Sequence, residues 1–241
     1  MTAVTLPIRG LIFDFDGLIL DTETPSLQAW EELYQGHGGD FPFARWAMNI
    51  GTDGTVFDSH AELERQCGRV LDREALRDRR RRRTNDLIAL AAVLPGVVEF
   101  LDAAADVGLR AAVASSSPRQ WVDGHLDRLG LLERFLCTVC AEDVPRVKPD
   151  SALYLRAVDR LGMRPEEVIA FEDSPHGITA AQAAGIRCVA IPNPVTARMV
   201  TDHADHRFDS LNAMPLPALL RLISSSPVPV DDVTSPTRPG T

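Results

Sequence analysis

Short apolar runs alternate with helix-patterned segments through the second half of the chain, and this alternation constrains the fold more than any other feature. Four runs predict buried strands, and the segments around them predict helices. The strands are predicted at 109–114, 135–140, 168–171 and 187–191, and the helices at 97–107, 118–129, 151–161 and 176–184. Because strands joined by single helices become parallel neighbours with helices on both faces, we predict an α/β fold with a doubly wound parallel sheet.

One further apolar run, at residues 11–13, lies about 95 residues before the next predicted strand, far more than one crossover helix needs. Most of the intervening sequence has helical composition. We therefore predict an all-helical cap at residues 22–90, inserted into a Rossmann-like core of residues 1–21 and 91–223. The cap should cover the carboxyl ends of the strands. Residues 224–241 are rich in Pro, Ser and Thr and are predicted to be disordered.

Polar strings follow four of the predicted strands directly or after a short loop. They are Asp14-Phe15-Asp16-Gly17, Ser115-Ser116-Ser117, Lys148-Pro149 and Glu172-Asp173-Ser174. Each string alone has an ordinary structural explanation, such as a turn, a helix N-cap, a surface lysine or a capped helix start. Because parallel strands bring their carboxyl ends to one crevice, the joint occurrence of all four favours a single catalytic site.

The acids and the amine of these strings suit phosphoryl transfer. Asp14 can attack phosphorus while Asp16, two residues on, supplies or removes a proton. An anionic nucleophile facing a phosphate dianion is repelled by roughly 4 kcal/mol for each pair of unit charges at ~4 Å and an effective dielectric near 20. The site therefore needs positive charge, which we expect from Lys148 and from Mg²⁺. Oxygen atoms of Asp14, Glu172 and Asp173 form a donor set that suits this cation.

Hydroxyl groups and flexible backbone complete the predicted site. The Ser115 hydroxyl can donate to a phosphoryl oxygen, and Ser116 lies at a predicted helix start, where backbone amides favour an anion. Gly17 lets the backbone turn tightly and leaves its amide near the ligand. In the predicted cap, the polar loop that contains Gly51 and Thr52 is the candidate for substrate selection, since loops beside a site commonly choose the substrate.

Two of these strings belong to longer motifs that are similar to those of a known family. Asp14-Phe15-Asp16-Gly17-Leu18-Ile19-Leu20-Asp21-Thr22-Glu23 resembles the first motif of the haloacid dehalogenase-like hydrolase superfamily, in its branch with a helical cap. That branch contains sugar-phosphate phosphatases and β-phosphoglucomutase. The stretch Phe171-Glu172-Asp173-Ser174-Pro175-His176-Gly177-Ile178 resembles the fourth motif, and the similarity covers roughly residues 9–222.

The resemblance implies a phosphatase that uses Mg²⁺ and an aspartyl-phosphate intermediate. It implies Asp14 as the nucleophile and Asp16 as the acid and base, with the backbone carbonyl of Asp16 also on the metal. Ser115 corresponds to the second motif, Lys148 to the third and Glu172-Asp173 to the fourth, with Asp173 a side-chain ligand of the metal. The expected substrates are small phosphorylated metabolites, and sugar phosphates above all.

Two other functions stay open. A phosphomutase similar to β-phosphoglucomutase would share the core. Those enzymes carry a His in the first cap helix, where the nearest residue here is Ser26, and an Arg in a cap loop that is absent from Gly51-Thr52-Asp53-Gly54. A non-catalytic sensor of phosphorylated ligands is the other alternative, and the intact pair of Asp14 and Asp16 argues against it. The same Asp16 argues against dehalogenase and phosphonate-cleaving relatives, which lack this second acid.

Five consecutive arginines, Arg79 to Arg83, fall in the predicted cap. They could grip a phosphorylated substrate or a nucleic acid, or they could lie on a solvated helix and pair with neighbouring acids. Because successive side chains on a helix point about 100° apart, the run cannot all face one way. One of the five could point into the cleft.

Charge and composition disfavour several classes of partner. The chain has 34 acidic and 25 basic residues, a formal net charge of -9 and a pI of about 5.1, which disfavours nucleic acid and anionic membranes. Its apolar runs are far shorter than the ~20 residues of a membrane span, and residues 1–9 do not resemble a signal peptide. We therefore expect a cytoplasmic monomer or weak dimer whose partner is a small phosphorylated metabolite.

Overall fold

The computed structural model describes residues 8–225, and its six strands form one sheet. The strands are β1 (Gly10–Phe13), β2 (Arg110–Ala114), β3 (Cys137–Val139), β4 (Val168–Glu172), β5 (Arg187–Ala190) and β6 (His206–Arg207). Their order is β3-β2-β1-β4-β5-β6, and every neighbouring pair is parallel. The predicted fold class, an α/β fold with a doubly wound parallel sheet, is confirmed.

Helices cover both faces of the sheet and fill the segment after β1. They are α1 (Glu23–Gln35), α2 (Phe43–Trp46), α3 (Ser59–Cys67), α4 (Arg73–Ile88), α5 (Val97–Asp106), α6 (Arg119–Arg128), α7 (Ala152–Leu161), α8 (Pro175–Ala183) and α9 (Leu216–Ser225). The predicted tail began at Ser224, but Ser224 and Ser225 end α9, and residues 226–241 lie outside the described part of the chain. None of the described helices is long and apolar enough to cross a membrane.

The central strands β1 and β4 are buried along their whole length, as strands covered on both faces must be. On one face, Leu11 and Phe13 pack in an apolar cluster with α5, α6 and α9, and the Phe13 ring stacks on Phe171 with centroids 4.9 Å apart. On the other face, Ile12 packs with α7 and α8. The alternation of side chains along β1 therefore holds both helical layers against one sheet.

The strand order reverses beside β1, since β2 lies on one side of it and β4 on the other. Phe13, the last residue of β1, is in register with Val113 and with Phe171. The residues that follow these three positions therefore emerge together at the carboxyl edge of the sheet. Ligands of open α/β sheets bind at such a reversal of strand order.

Residues 22–90, called here the helical segment, contain α1 to α4. They form an apolar cluster around Trp30, Tyr34 and Trp46, to which Val195 of the core also contributes. Residues 61–94 have helical composition, but the structure divides this stretch between two helices, α3 and α4. Gly68 ends α3 with a left-handed φ of 63°, and the carboxylate of Asp72 caps α4 by accepting from the amide of Ala75 at 3.0 Å. The boundaries of a separate cap domain stay a prediction.

Candidate active site

Three buried carboxylates converge at the carboxyl edge of the sheet. Asp14 follows β1 directly, Glu172 is the last residue of β4, and Asp173 comes next. One oxygen of each lies within 4.8 Å of the others, which is close enough to share one metal ion. Oxygen donors of this kind suit a hard divalent cation.

Lys148, the only lysine of the chain, lies against these acids. Its ammonium group donates to Oδ1 of Asp14 and, at 2.6 Å, to Oε1 of Glu172, and the residue is 2% exposed. Tyr154 on α7 donates its hydroxyl to the same Glu172 oxygen at 2.5 Å. The structure thus brings together Asp14, Lys148, Glu172 and Asp173, which lie far apart in the sequence.

Negative charge exceeds positive charge in this cluster. Burial raises the pKa of Asp14 to about 8, and the charges of Glu172 and Asp16 add to the rise while Lys148 opposes it. Burial, followed by the charges of Asp14 and Glu172, also raises the pKa of Asp173 well above its ordinary value. Burial alone would lower the pKa of Lys148, but the Asp14 and Glu172 carboxylates raise it above its ordinary value. One ammonium group does not offset the three acids, so the cluster favours an added cation.

Asp16 is oriented by three donors. Its Oδ1 accepts from the hydroxyl of Thr22 and from the indole nitrogen of Trp121, both at 2.9 Å, and its Oδ2 accepts from the hydroxyl of Ser117 at 2.6 Å. The Ser115 hydroxyl lies 3.4 Å from the same Oδ2. The side chain of Asp16 is outside the three-carboxylate set. A contact between its backbone carbonyl and the metal stays a prediction.

Gly17 makes room for the metal-ligand candidate Asp173. Its φ is 82°, and a Cβ there would lie 2.4 Å from Oδ2 of Asp173 and 2.5 Å from Nδ2 of Asn193. The amide of Asn193 donates to that same Asp173 oxygen at 2.7 Å and to the carbonyl of Gly17 at 3.2 Å. Glycine is required here for this close approach, and the approach fixes the carboxylate of Asp173.

A cavity of about 730 Å³ opens above the carboxylates, between the sheet edge and the helical segment. Asp14, Asp16, Ser115 and Lys148 line it from the core, and Gly51 and Thr52 line it from the helical segment. Hydrogen bonds join the core to the helical segment beside this cavity. Among them, the Ser116 hydroxyl donates to the carbonyl of Gly51 at 3.0 Å, and Nδ1 of His176 lies 2.9 Å from the carbonyl of Ile50. Ser116 and Gly51, both predicted to bind substrate, therefore contact each other.

Sequence reasoning missed four residues that shape this site, namely Glu23, Trp121, Tyr154 and Asn193. Glu23 lines the cavity; burial, with the charges of Asp16 and Asp14, raises its pKa to about 8. Glu23 belongs to the stretch that resembles the first family motif and lies two residues after Asp21. Its place in that motif could have identified it as a candidate site residue. The other three lie on helices or loops whose approach to the site depends on tertiary packing.

A substitution of Gly177 on α8 tests how tightly the side chain of Glu172 is held. A Cβ at Gly177 would lie 2.0 Å from the carboxylate of Glu172, which is fully buried. We expect Gly177→Ala to lower the free energy of unfolding by about 1–3 kcal/mol, because the buried carboxylate must move. The helical Gly124 on α6 has open space around it, so Gly124→Ala should instead stabilise by up to about 1 kcal/mol. Urea unfolding of both variants checks the pair, and a neutral Gly177→Ala would show that Glu172 can shift freely.

Comparisons with known proteins bear on the family and the fold. The sequence model of the family described as haloacid dehalogenase-like hydrolase matches residues 11–191. A protein of Bacillus subtilis (strain 168) named "Putative phosphatase YhcW" is 43% identical over 218 residues, covering 90% of this chain and 99% of that protein. Among solved structures, CbbY from Rhodobacter sphaeroides in complex with phosphate is 26% identical, with a TM-score of 0.66 and coverage of 85% of this chain and 95% of that one. A "putative beta-phosphoglucomutase" from Thermotoga maritima is also 26% identical, with a TM-score of 0.67 and coverage of 86% and 98%.

Proposed function

The chain belongs to the haloacid dehalogenase-like hydrolase family, and we propose that it is a Mg²⁺-dependent phosphatase of small phosphorylated metabolites, with sugar phosphates as the main class. The observation that carries the proposal is the set of three carboxylates within 4.8 Å of one another beside the buried Lys148. Phosphate is bound in the crystal structure of the relative CbbY, and another relative carries the name "Putative phosphatase YhcW"; both support the substrate class.

Asp14 and Asp173 are the residues best placed to hold the metal. Both are buried and carry raised pKa values, and Asn193 orients one oxygen of Asp173. Glu172 is engaged otherwise, because Lys148 and Tyr154 donate to Oε1 and the Ser174 hydroxyl lies 3.3 Å from Oε2. We infer that Glu172 mainly positions Lys148. When bound, Mg²⁺ would neutralise charge on the phosphoryl oxygens and on these carboxylates.

The chemistry follows from the remaining residues. A carboxylate oxygen of Asp14 would attack phosphorus, forming a bond to it as the bond between phosphorus and the leaving oxygen breaks. Asp16 would give its proton to that oxygen, so that the leaving group departs as an alcohol. Asp16 would then take a proton from water, whose oxygen attacks phosphorus and releases inorganic phosphate and the free Asp14 carboxylate. Lys148 and Ser115 would stabilise charge on the phosphoryl oxygens during both steps.

Trp121, Thr22 and Ser117 support the role of Asp16 by holding its carboxyl group. A proton-transfer group contributes only when it lies within hydrogen-bond reach of the reacting oxygen, so its orientation matters as much as its presence. The leaving group would lie in the cavity above Asp14 and Asp16, in contact with the helical segment.

The rival function is a phosphomutase, which would have to retain a bisphosphate and protect the phosphorylated enzyme from water. Ser26 lines the cavity on α1, where the mutases that this chain resembles carry a His. No Arg lies in Gly51-Thr52-Asp53-Gly54. These two observations favour hydrolysis. A mutase would convert a sugar phosphate into an isomer faster than it released inorganic phosphate.

A panel of phosphorylated metabolites and p-nitrophenyl phosphate, assayed for inorganic phosphate with Mg²⁺ present, tests the proposal. We expect turnover that EDTA abolishes and excess Mg²⁺ restores. Faster accumulation of an isomer than of phosphate would establish the mutase instead. If the wild-type protein released no phosphate from any compound, the phosphatase proposal would fail, and a non-catalytic sensor would become the better account.

A further inference from the structure

Four polar atoms on the helical-segment wall of the cavity are shielded from solvent and have no hydrogen-bond partner among residues 8–225. They are Oγ of Ser59, Nε2 of His60, Nε of Arg80 and Oγ1 of Thr84. All four residues line the same cavity as Asp14 and Lys148. Because buried polar groups are normally paired, four unpaired ones in one wall indicate a ligand that supplies their partners.

The four groups are held in a fixed arrangement. Ser59 and His60 begin α3, while Arg80 and Thr84 are four residues apart on α4 and so lie on one face of it. Trp30 on α1 supports two of them: Cζ of Arg80 lies 4.8 Å from its ring centroid, and the His60 ring meets it edge-on at 4.7 Å. The cluster is therefore formed before any ligand arrives.

The positive charge of Arg80 is uncompensated. Among the described residues, no carboxylate lies within ion-pair distance of Arg80, although its neighbour Arg81 pairs with Asp78 at 2.8 Å. Two acids line this wall, Asp58 and Glu23. Asp58 pairs with Arg73 at 3.0 Å and accepts from the backbone amide of His60, and Glu23 lies outside ion-pair distance of Arg80. The wall thus offers an unpaired guanidinium group to the cavity.

His60 contributes as a neutral ring. Burial, followed by the charges of Arg80 and Arg77, lowers the pKa of His60 to about 4. At neutral pH its unpartnered Nε2 can therefore carry a hydrogen atom and donate it without adding charge. With the hydroxyl groups of Ser59 and Thr84, the wall holds donors for several acceptor oxygens around the guanidinium group of Arg80. Arg77 and Arg81 also line the cavity.

We propose that Arg80, with His60, Ser59 and Thr84, binds a second anionic group on the leaving-group side of the substrate, either a carboxylate or a further phosphate. This inference rests on the phosphatase function proposed above, because the first phosphate must occupy the site of Asp14 and Lys148. According to this proposal, the substrate has two anionic groups, one at each end of the cavity. Planar guanidinium groups bind both carboxylate and phosphate oxygens in pairs.

Three matched compounds test the second anion. Glucose 6-phosphate has an uncharged far end, 6-phosphogluconate has a carboxylate there, and glucose 1,6-bisphosphate has a phosphate. We expect wild-type kcat/KM to be highest for one of the two doubly anionic compounds, which identifies the preferred group. We expect Arg80→Gln to lower kcat/KM for that compound by roughly 10- to 150-fold, the loss of one charge-assisted contact, with a loss at least tenfold smaller for glucose 6-phosphate.

Arg82→Gln is the control, because Arg82 is exposed, lies in the same arginine run and does not line the cavity. It removes the same charge and should leave all three values unchanged. Equal losses for charged and uncharged compounds in Arg80→Gln, or equal losses in the two arginine variants, would overturn the anion site while leaving the phosphatase proposal intact.

Calorimetric titration in an Asp14→Asn background, with Mg²⁺ present, decides the inference even if no compound is turned over. Of the two doubly anionic compounds, the one that the Asp14→Asn protein binds more tightly should lose roughly 10- to 150-fold in affinity when Arg80→Gln is added to that protein. Glucose 6-phosphate should show a much smaller difference between the two proteins. Equal affinity of both proteins for the charged compound would mean that only water occupies the four unpaired groups.

Discussion

Asp14→Asn should lower kcat by roughly 10⁴-fold or more, because the amide that replaces the carboxylate cannot attack phosphorus. Asparagine keeps the size of the side chain and an oxygen that can accept from Lys148. Assays of phosphate release with p-nitrophenyl phosphate and Mg²⁺ measure the loss. Turnover within tenfold of wild type would mean that another group attacks phosphorus.

The same variant should stay folded, which separates lost chemistry from lost structure. The folded-state pKa of Asp14 is raised to about 8 from an ordinary value of 3.8, so its ionised form costs stability as the pH rises toward 8. Asparagine carries no charge and removes that cost. The thermal midpoint of Asp14→Asn at pH 8 in EDTA should therefore equal or exceed that of the wild-type protein, and a clear fall would make its kinetics uninterpretable.

Lys148→Met should lower the free energy of unfolding by about 3–5 kcal/mol and abolish turnover. The ammonium group contacts the buried carboxylates of Asp14 and Glu172, and removing one partner of a buried pair leaves uncompensated charge. The pKa of Lys148 is raised above its ordinary 10.5, so its stabilisation is fully present below that pH and fades only above it. Urea unfolding between pH 6 and 9 in EDTA measures the loss.

Arg146→Met is the matched control for this loss. Arg146 lies two residues away and pairs with Asp150 at 2.8 Å, but its side chain is 80% exposed. Exposed pairs contribute about 0–1 kcal/mol, so this variant should stay close to wild type. If Lys148→Met lost no more than Arg146→Met, the buried acids would not depend on the lysine for their compensation.

The architecture was predictable because strand and helix periods differ, and because β1 and the first four residues of β4 are apolar. Phe13 and Phe171, the last apolar residues of these two runs, are in register. The two-residue strand β6 was missed, since His206 and Arg207 carry no apolar period and pair only at the sheet edge. The break between α3 and α4 was missed because helical composition on both sides hid the turn at Gly68.

Some contacts of the candidate site were also predictable from the sequence, and others were not. Asp14, Ser115 and Glu172 end or directly follow their strands, so topology alone brings them together. Trp121 and Asn193 reach Asp16 and Asp173 from a helix and a loop, and no local pattern predicts those contacts. Lys148 carried a signal that went unused: a chain with 25 basic residues has only one lysine, and that one is buried at the site.

The arginine run shows where sequence reasoning stops. Periodicity indicated that the five side chains would spread around α4, and Arg81 and Arg83 do pair with acids, at 2.8 Å with Asp78 and Glu32. The rotation of α4 against Trp30 determines which arginine of the run lines the cavity and has no carboxylate as an ion-pair partner. Only the packed structure identifies Arg80 as that residue.

Mass spectrometry of the acid-quenched enzyme tests the central claim, the transient esterification of Asp14, most directly. Wild-type protein mixed with substrate and Mg²⁺ and quenched within one turnover should carry one added phosphoryl group on the peptide that contains Asp14. The modification should be absent when EDTA replaces Mg²⁺ and absent from Asp14→Asn. Rapid phosphate release with no phosphorylated Asp14, or with the phosphoryl group on another residue, would contradict the account.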